Sequence, residues 1–105
     1  MTSLSTHVLD TSAGSPGVGI EVAMERLGDG GWSVVGKGTT DGNGRISDLG
    51  VGLGTGTYRL RFATGSYGNS LYPEVTVVLS LDEAEDHYHI PLLLSPFGYT
   101  TYRGS

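Results

Sequence analysis

Two histidines, His87 and His89, head the apolar run HYHIPLLLSP. A titratable ring in such a run costs desolvation unless it is well paired or put to use. On a strand the two rings share one face, because side chains alternate with period two, and Tyr88 and Ile90 take the other. His7 in STHVLD and Arg45, directly after the turn sequence DGNG, are the remaining candidates for chemistry. With an ordinary pKa of ~6.5 a histidine can give and take protons at neutral pH, so the histidines suit general acid–base work. The planar donor fork of Arg45 suits ring oxygens and a developing oxyanion. Each also has a plainer reading. An arginine after a turn is usually solvated. His87 in particular reads as a satisfied histidine near a strand end, hydrogen-bonded to backbone. A zinc centre would need three protein ligands and would conscript His7 as well, so no metal or other cofactor is expected.

The rest of the composition narrows the chemistry. There is no cysteine, which removes thiol nucleophiles, thiolate metal sites and disulfide scaffolds together. Lys and Arg total 6 against 11 Asp and Glu, a net charge of −5, so the basic surface that nucleic-acid binding needs is missing. No window approaches the length of a membrane-spanning apolar run, and MTSLSTHVLD lacks the basic and apolar stretches of a leader. The chain is expected to be cytoplasmic, with no membrane or nucleic-acid partner.

These groups must be held by strands. Glycine contributes 18 of 105 residues against an average usage of about 7%, and the glycines are interleaved with Val, Leu, Tyr and Thr segments in the manner of turns. Alternation of period two runs through VGIEVAMERL, TYRLRFAT and EVTVVLSL, placing Val18, Ile20, Val22, Met24, Tyr58, Leu60, Phe62, Val75, Val77, Leu79 and Leu81 on inner faces and Gly19, Glu21, Ala23, Glu25, Arg59 and Arg61 on the opposite ones. A short strand is expected over residues 45–49, with GVGLGTG after it as a turn. That glycine run precedes another strand and no helix, so it is not a phosphate cradle. GKG at residues 36–38 lacks the upstream glycine of a phosphate loop. The count is seven or eight strands with turn signals at roughly 8–12-residue spacing, the pattern of a one-domain antiparallel sandwich or barrel over residues 1–105.

Taken together, STHVLD, GNGRI, LYPEV, HYHIPLLLSP and the closing TTYRGS resemble the transthyretin-like 5-hydroxyisourate hydrolases, from about Ser5 to Ser105. The resemblance implies a sandwich of two four-stranded antiparallel sheets and a homotetramer, a dimer of dimers with its active sites in a channel between dimers. It assigns catalysis to His7, Arg45 and His89, and substrate binding to His7, Arg45, Tyr102 and Ser105, and leaves His87 structural. It implies hydrolysis of 5-hydroxyisourate to 2-oxo-4-hydroxy-4-carboxy-5-ureidoimidazoline in urate degradation, by direct attack of water on the lactam carbonyl. Where the family usually has a short helix, TGSYGNS passes almost directly into LYPEV, so the helix is expected to be reduced or absent.

The rival from another class is a carrier on the same fold, holding a small aromatic ligand without chemistry. The family's hormone carrier has other residue types at the positions of His7, Arg45 and His89 and lacks the closing YRGS, whereas this chain has the enzyme-like residue at each. An immunoglobulin-like adhesion module would call for a secretion signal.

Overall fold

The computed structural model describes residues 1–105. Nine strands and one helical turn follow in the order β1 (Thr2–Asp10), β2 (Ser15–Pro16), β3 (Glu21–Gly28), β4 (Gly31–Thr39), β5 (Arg45–Leu53), β6 (Gly56–Phe62), α1 (Thr64–Tyr67), β7 (Val75–Leu81), β8 (His87–Ser95) and β9 (Gly98–Thr101). They form two sheets. One runs β2-β1-β8-β9, with β5 also paired to β1, and the other runs β4-β3-β6-β7.

The alternating residues do what their period requires. Leu4, Val8, Tyr88, Ile90 and Leu92 from the first sheet meet Val22, Met24, Tyr58, Leu60, Phe62 and Val75 from the second in one core. Burying each of the large side chains contributes roughly 1.5–3 kcal/mol. Because the even-numbered residues of β1 and β8 point into this core, their odd-numbered residues form the outer face of the first sheet.

The two-sheet all-β sandwich expected from sequence is present, with one difference in strand direction. β1 and β8 run parallel over eight registered pairs, from Ser3 beside His87 to Asp10 beside Leu94. Period-two alternation is the same in either direction, so it carries no information about this pairing. Counting the two-residue β2, the first sheet has five strands rather than four.

The second difference concerns the glycine run. β5 does not stop at Leu49 but continues through Gly50 to Leu53. Glycine here permits close approach rather than turning. A Cβ at Gly50 would lie 2.6 Å from the Met24 sulfur, and one at Gly36 would lie 1.8 Å from the Leu49 carbonyl oxygen. The DGNG turn does behave as its residues predict. Asp41 Oδ1 accepts from the backbone N–H of both Asn43 and Arg45, and Gly44 takes the left-handed φ of 75°. This locks the point at which Arg45 enters β5.

The helix is reduced to a single turn, α1. Its Tyr67 donates a 2.6 Å hydrogen bond to Asp10 Oδ2 at the end of β1. That bond, with those from Ala13 and Ser12, holds the Asp10 carboxyl below its usual range, and the same carboxylate pushes the Tyr67 hydroxyl up to about 12. The folded state therefore holds the Asp10 proton more weakly and the Tyr67 proton more tightly than the unfolded chain does. The stabilisation is full between the ordinary carboxylate and phenol pKa values; it is lost as pH falls through the depressed Asp10 pKa or rises from 10 through about 12. Tyr67→Phe is expected to cost about 1 kcal/mol at neutral pH and to flatten the alkaline loss, as read by urea unfolding across pH.

Candidate active site

The parallel register of β1 and β8 decides which side chains meet. It sets Ser3 beside His87, Ser5 beside His89, His7 beside Pro91 and Leu9 beside Leu93. All eight are odd-numbered and share the outer face of the first sheet. On the other side of β1, antiparallel β5 places Arg45 opposite His7. Three strands thus bring His7, Arg45 and His89 onto one surface, although they lie far apart in the chain.

The serines of β1 bind the histidines of β8. Ser3 Oγ lies 2.6 Å from His87 Nδ1, Ser5 Oγ lies 2.8 Å from His87 Nε2, and the same Ser5 Oγ lies 2.8 Å from His89 Nδ1. Both ring nitrogens of His87 are engaged. His89 is held through Nδ1 alone, and its Nε2 makes no hydrogen bond within the chain.

The segment after β9 folds back over this surface. Gly104 donates its N–H to the His89 carbonyl at 2.7 Å, an isolated antiparallel bridge. Arg103 anchors the segment, stacked 4.5 Å over the Tyr88 ring and 3.5 Å from Glu85. Ser105 is thereby brought to the mouth of an open cleft of about 550 Å³, which Arg45, Ser47, His87 and His89 also line. An adjoining cleft of about 460 Å³ shares His87, His89 and Ser105 and adds Arg103.

Arg45, His7 and His87 surround His89, and the Asp41 carboxylate lies near Arg45 and His7. Arg45 takes part in none of the four ion pairs of the chain. Partial burial pushes the His89 pKa below its ordinary 6.5, and the positive charge of Arg45, then of His7 and His87, pushes it the same way. His89 is consequently neutral at neutral pH, with a lone pair available for a proton. No group of three or more His, Cys, Asp or Glu residues is placed to hold a metal ion.

Of the residues singled out in the sequence, Arg45, His89 and Ser105 line the cleft together, and His7 stands beside them across from Arg45. Tyr102 is 53% exposed and makes no side-chain hydrogen bond; it lies between β9 and the Gly104 bridge, outside the cleft lining. His87 departs from expectation. Its partners are the hydroxyls of Ser3 and Ser5 rather than backbone groups, it is exposed, and it lines the same cleft as His89. The parallel pairing is the reason, since it aligns two serines with two histidines at the same spacing. Sequence reasoning missed Ser3, Ser5 and Gly104. The S-x-S and H-x-H spacings are visible in the chain, but nothing in them says that the two segments pair.

Gly104 is a second site feature that only contact reveals. A Cβ there would lie 2.7 Å from His89 Cδ2 and 3.4 Å from the His89 carbonyl oxygen. Gly104→Ala is expected to displace the His89 ring or lift the closing segment, lowering kcat about tenfold or more through misplacement of a reacting group. Since the segment is exposed, the thermal midpoint should move little. Activity equal to the parent would show that the ring tolerates the displacement.

The chain is similar to known proteins in both sequence and fold. A family model described as "Transthyretin: HIUase/Transthyretin family" matches residues 4–104. A probable 5-hydroxyisourate hydrolase of Caenorhabditis elegans is 46% identical over 110 residues, covering 98% of this chain and 81% of the relative. The structure of Klebsiella pneumoniae 5-hydroxyisourate hydrolase superposes with a TM-score of 0.88 at 34% identity, covering 100% of both chains. Sea bream transthyretin in complex with thyroxine superposes with a TM-score of 0.90 at 32% identity, covering 97% of this chain and 94% of that one. An enzyme and a hormone-binding protein fit equally well, so the fold does not separate the two activities.

Proposed function

Since this chain belongs to the HIUase/transthyretin family, we propose that the cleft over β1, β5 and β8 is the active site through which it hydrolyses 5-hydroxyisourate. The observation that carries the reading is the His89 ring, fixed by Ser5 at Nδ1, lowered in pKa, and open at Nε2 beside an unpaired arginine.

Three tasks define the reaction. Water must lose a proton as it attacks the lactam carbonyl, the carbonyl oxygen must be stabilised as charge develops, and the leaving ring nitrogen must gain a proton. His89 Nε2 takes the water proton; a ring held at Nδ1 and neutral at pH 7 is suited to that step. Arg45 faces the developing oxyanion. It makes no ion pair within the chain, so its guanidinium is free to donate. His7, across from Arg45, orients the water or the ring, and Ser105 contacts substrate at the edge of the cleft; Tyr102, outside that lining, is given substrate contact by the family resemblance alone. Attack by water needs no covalent intermediate.

A carrier of the transthyretin type is the second reading, favoured by the superposition on sea bream transthyretin. A ligand-binding groove has no use for a base whose one nitrogen is pinned and whose other is free, and the hydrolase reading explains both. The test is to generate 5-hydroxyisourate in situ with urate oxidase and follow its ultraviolet decay. Acceleration above the spontaneous rate is expected, and a rate unchanged by the protein would leave the carrier. Run across pH, kcat/KM should fall on the acid side with a midpoint below 6.5, because burial, and after it the charge of Arg45, depresses the His89 pKa. A midpoint at or above that value would count against His89 as the base.

The homotetramer belongs to the same proposal. Half-buried Leu9 and Leu93 extend the outer face beside the site as apolar surface, and the cleft is open to one side in a single chain; sedimentation at micromolar concentration would show four copies. No helix is long and apolar enough to cross a membrane, and a cytoplasmic location completes the reading.

A further inference from the structure

The mechanism above uses His89 but leaves His87 idle, although Ser5 Oγ sits 2.8 Å from a nitrogen of each ring. A hydroxyl has one proton to give and two lone pairs to accept with, so a serine between two imidazoles can accept from one ring while it donates to the other. If His89 presents a lone pair at Nε2, its proton is on Nδ1 and is donated to Ser5. Ser5 then donates to His87 Nε2, and His87 donates from Nδ1 to Ser3. The four groups form one directional chain of hydrogen bonds, at 2.8, 2.8 and 2.6 Å, running from His89 through Ser5 and exposed His87 to Ser3.

We propose that Ser5 and His87 act as a proton relay behind His89. The proposal rests on the hydrolase reading of the cleft. As the water oxygen bonds to the carbonyl carbon, His89 Nε2 takes the water proton. The Nδ1 proton of His89 passes to Ser5 Oγ while the Ser5 proton passes to His87 Nε2. His87 is then the imidazolium, and His89 is neutral again, with its proton on Nε2. When the ring C–N bond breaks, that Nε2 proton goes to the leaving nitrogen, and the chain runs backwards to restore the proton on His89 Nδ1. One proton has moved from water to nitrogen, no atom is unaccounted for, and the positive charge has waited on His87.

Charge placement explains why such a chain would help. His89 is partly buried and surrounded by Arg45 from β5, His7 from β1, His87 on its own strand and Arg103 from the closing segment. An imidazolium there is disfavoured by its neighbours and by desolvation, whereas His87 is exposed and its charge is solvated. His87 and Ser5 are positioning residues in this scheme, acting through His89 and not on substrate.

The test compares His87→Gln, Ser5→Ala and Ser5→Thr in the urate-oxidase assay, together with the dependence of kcat on the deuterium fraction of the solvent. Gln can hydrogen-bond but cannot titrate, and Thr keeps the bridging hydroxyl. Expected are kcat losses of about tenfold or more in His87→Gln and Ser5→Ala, with KM within about twofold, and near-parental kcat in Ser5→Thr, as general acid–base contributions require. The parent should show a bowed deuterium dependence that becomes linear in Ser5→Ala. Full kcat in His87→Gln, or a linear dependence in the parent, overturns the relay alone. A parent that does not accelerate the decay overturns the hydrolase reading itself.

Discussion

His89→Ala is expected to reduce kcat by ~10²–10⁴-fold, the range by which a positioned general base accelerates proton transfer. The structure makes this a clean test. His89 is only partly buried, its side chain bonds solely to Ser5, and it stands on the outer face, away from the core shared by Leu4, Val8 and Ile90. Its removal should therefore leave the fold and thermal midpoint close to the parent, so that lost activity reports lost chemistry. KM should change less than kcat, because the proton acceptor matters in the transition state more than in the bound ground state. A variant that retained activity within about threefold would remove His89 from the proton-transfer role, since that is less than the smallest usual contribution of such a group.

The second large effect is expected at Arg45. Arg45→Lys keeps the charge and the backbone bond to Asp41, since that bond uses the residue's N–H. It removes the planar fork, and with it the simultaneous donation to a ring oxygen and an oxyanion. A loss of ~10²-fold in kcat/KM is expected, comparable to deleting one donor of an oxyanion site. The substitution also leaves the charge that depresses the His89 pKa, so the acid midpoint should stay near that of the parent while the plateau falls. Replacement by an uncharged residue should instead let that midpoint rise. A full rate in Arg45→Lys would show that a point charge suffices and that the fork has no role.

Much of this protein was legible without coordinates, for a definite reason. Period-two alternation is a local property, and it correctly turned Tyr58, Leu60 and Phe62 inward and left Arg59 and Arg61 outward. Turn chemistry is local as well, and the Asp41–Gly44 turn that launches Arg45 follows from its residue types. The outward Glu25 shows where local reasoning weakens: its face was read correctly, yet it is 7% exposed, because Arg59 at 2.6 Å, itself stacked over Trp32, covers it. The glycines of residues 50–54 were harder still. A glycine needed for a turn and one needed for close approach look alike in a chain, and only the Met24 sulfur lying against Gly50 distinguishes them.

By themselves, the residues determined an all-β chain without thiol chemistry, the one-face placement of His87 with His89, and, through their motifs, the hydrolase family. Tertiary structure alone decided that β1 runs parallel to β8, and this choice creates the site. It sets Ser5 between two histidines that lie 82 and 84 positions away, and it turns His87 from a strand-end residue into part of the cleft. The physical reason is that side-chain alternation is unchanged by strand direction or by a shift of two residues. The register is therefore set by burial of Leu4, Val8, Ile90 and Leu92 in the common core and by the hydrogen bonds between distant segments, neither of which exists until the chain has folded.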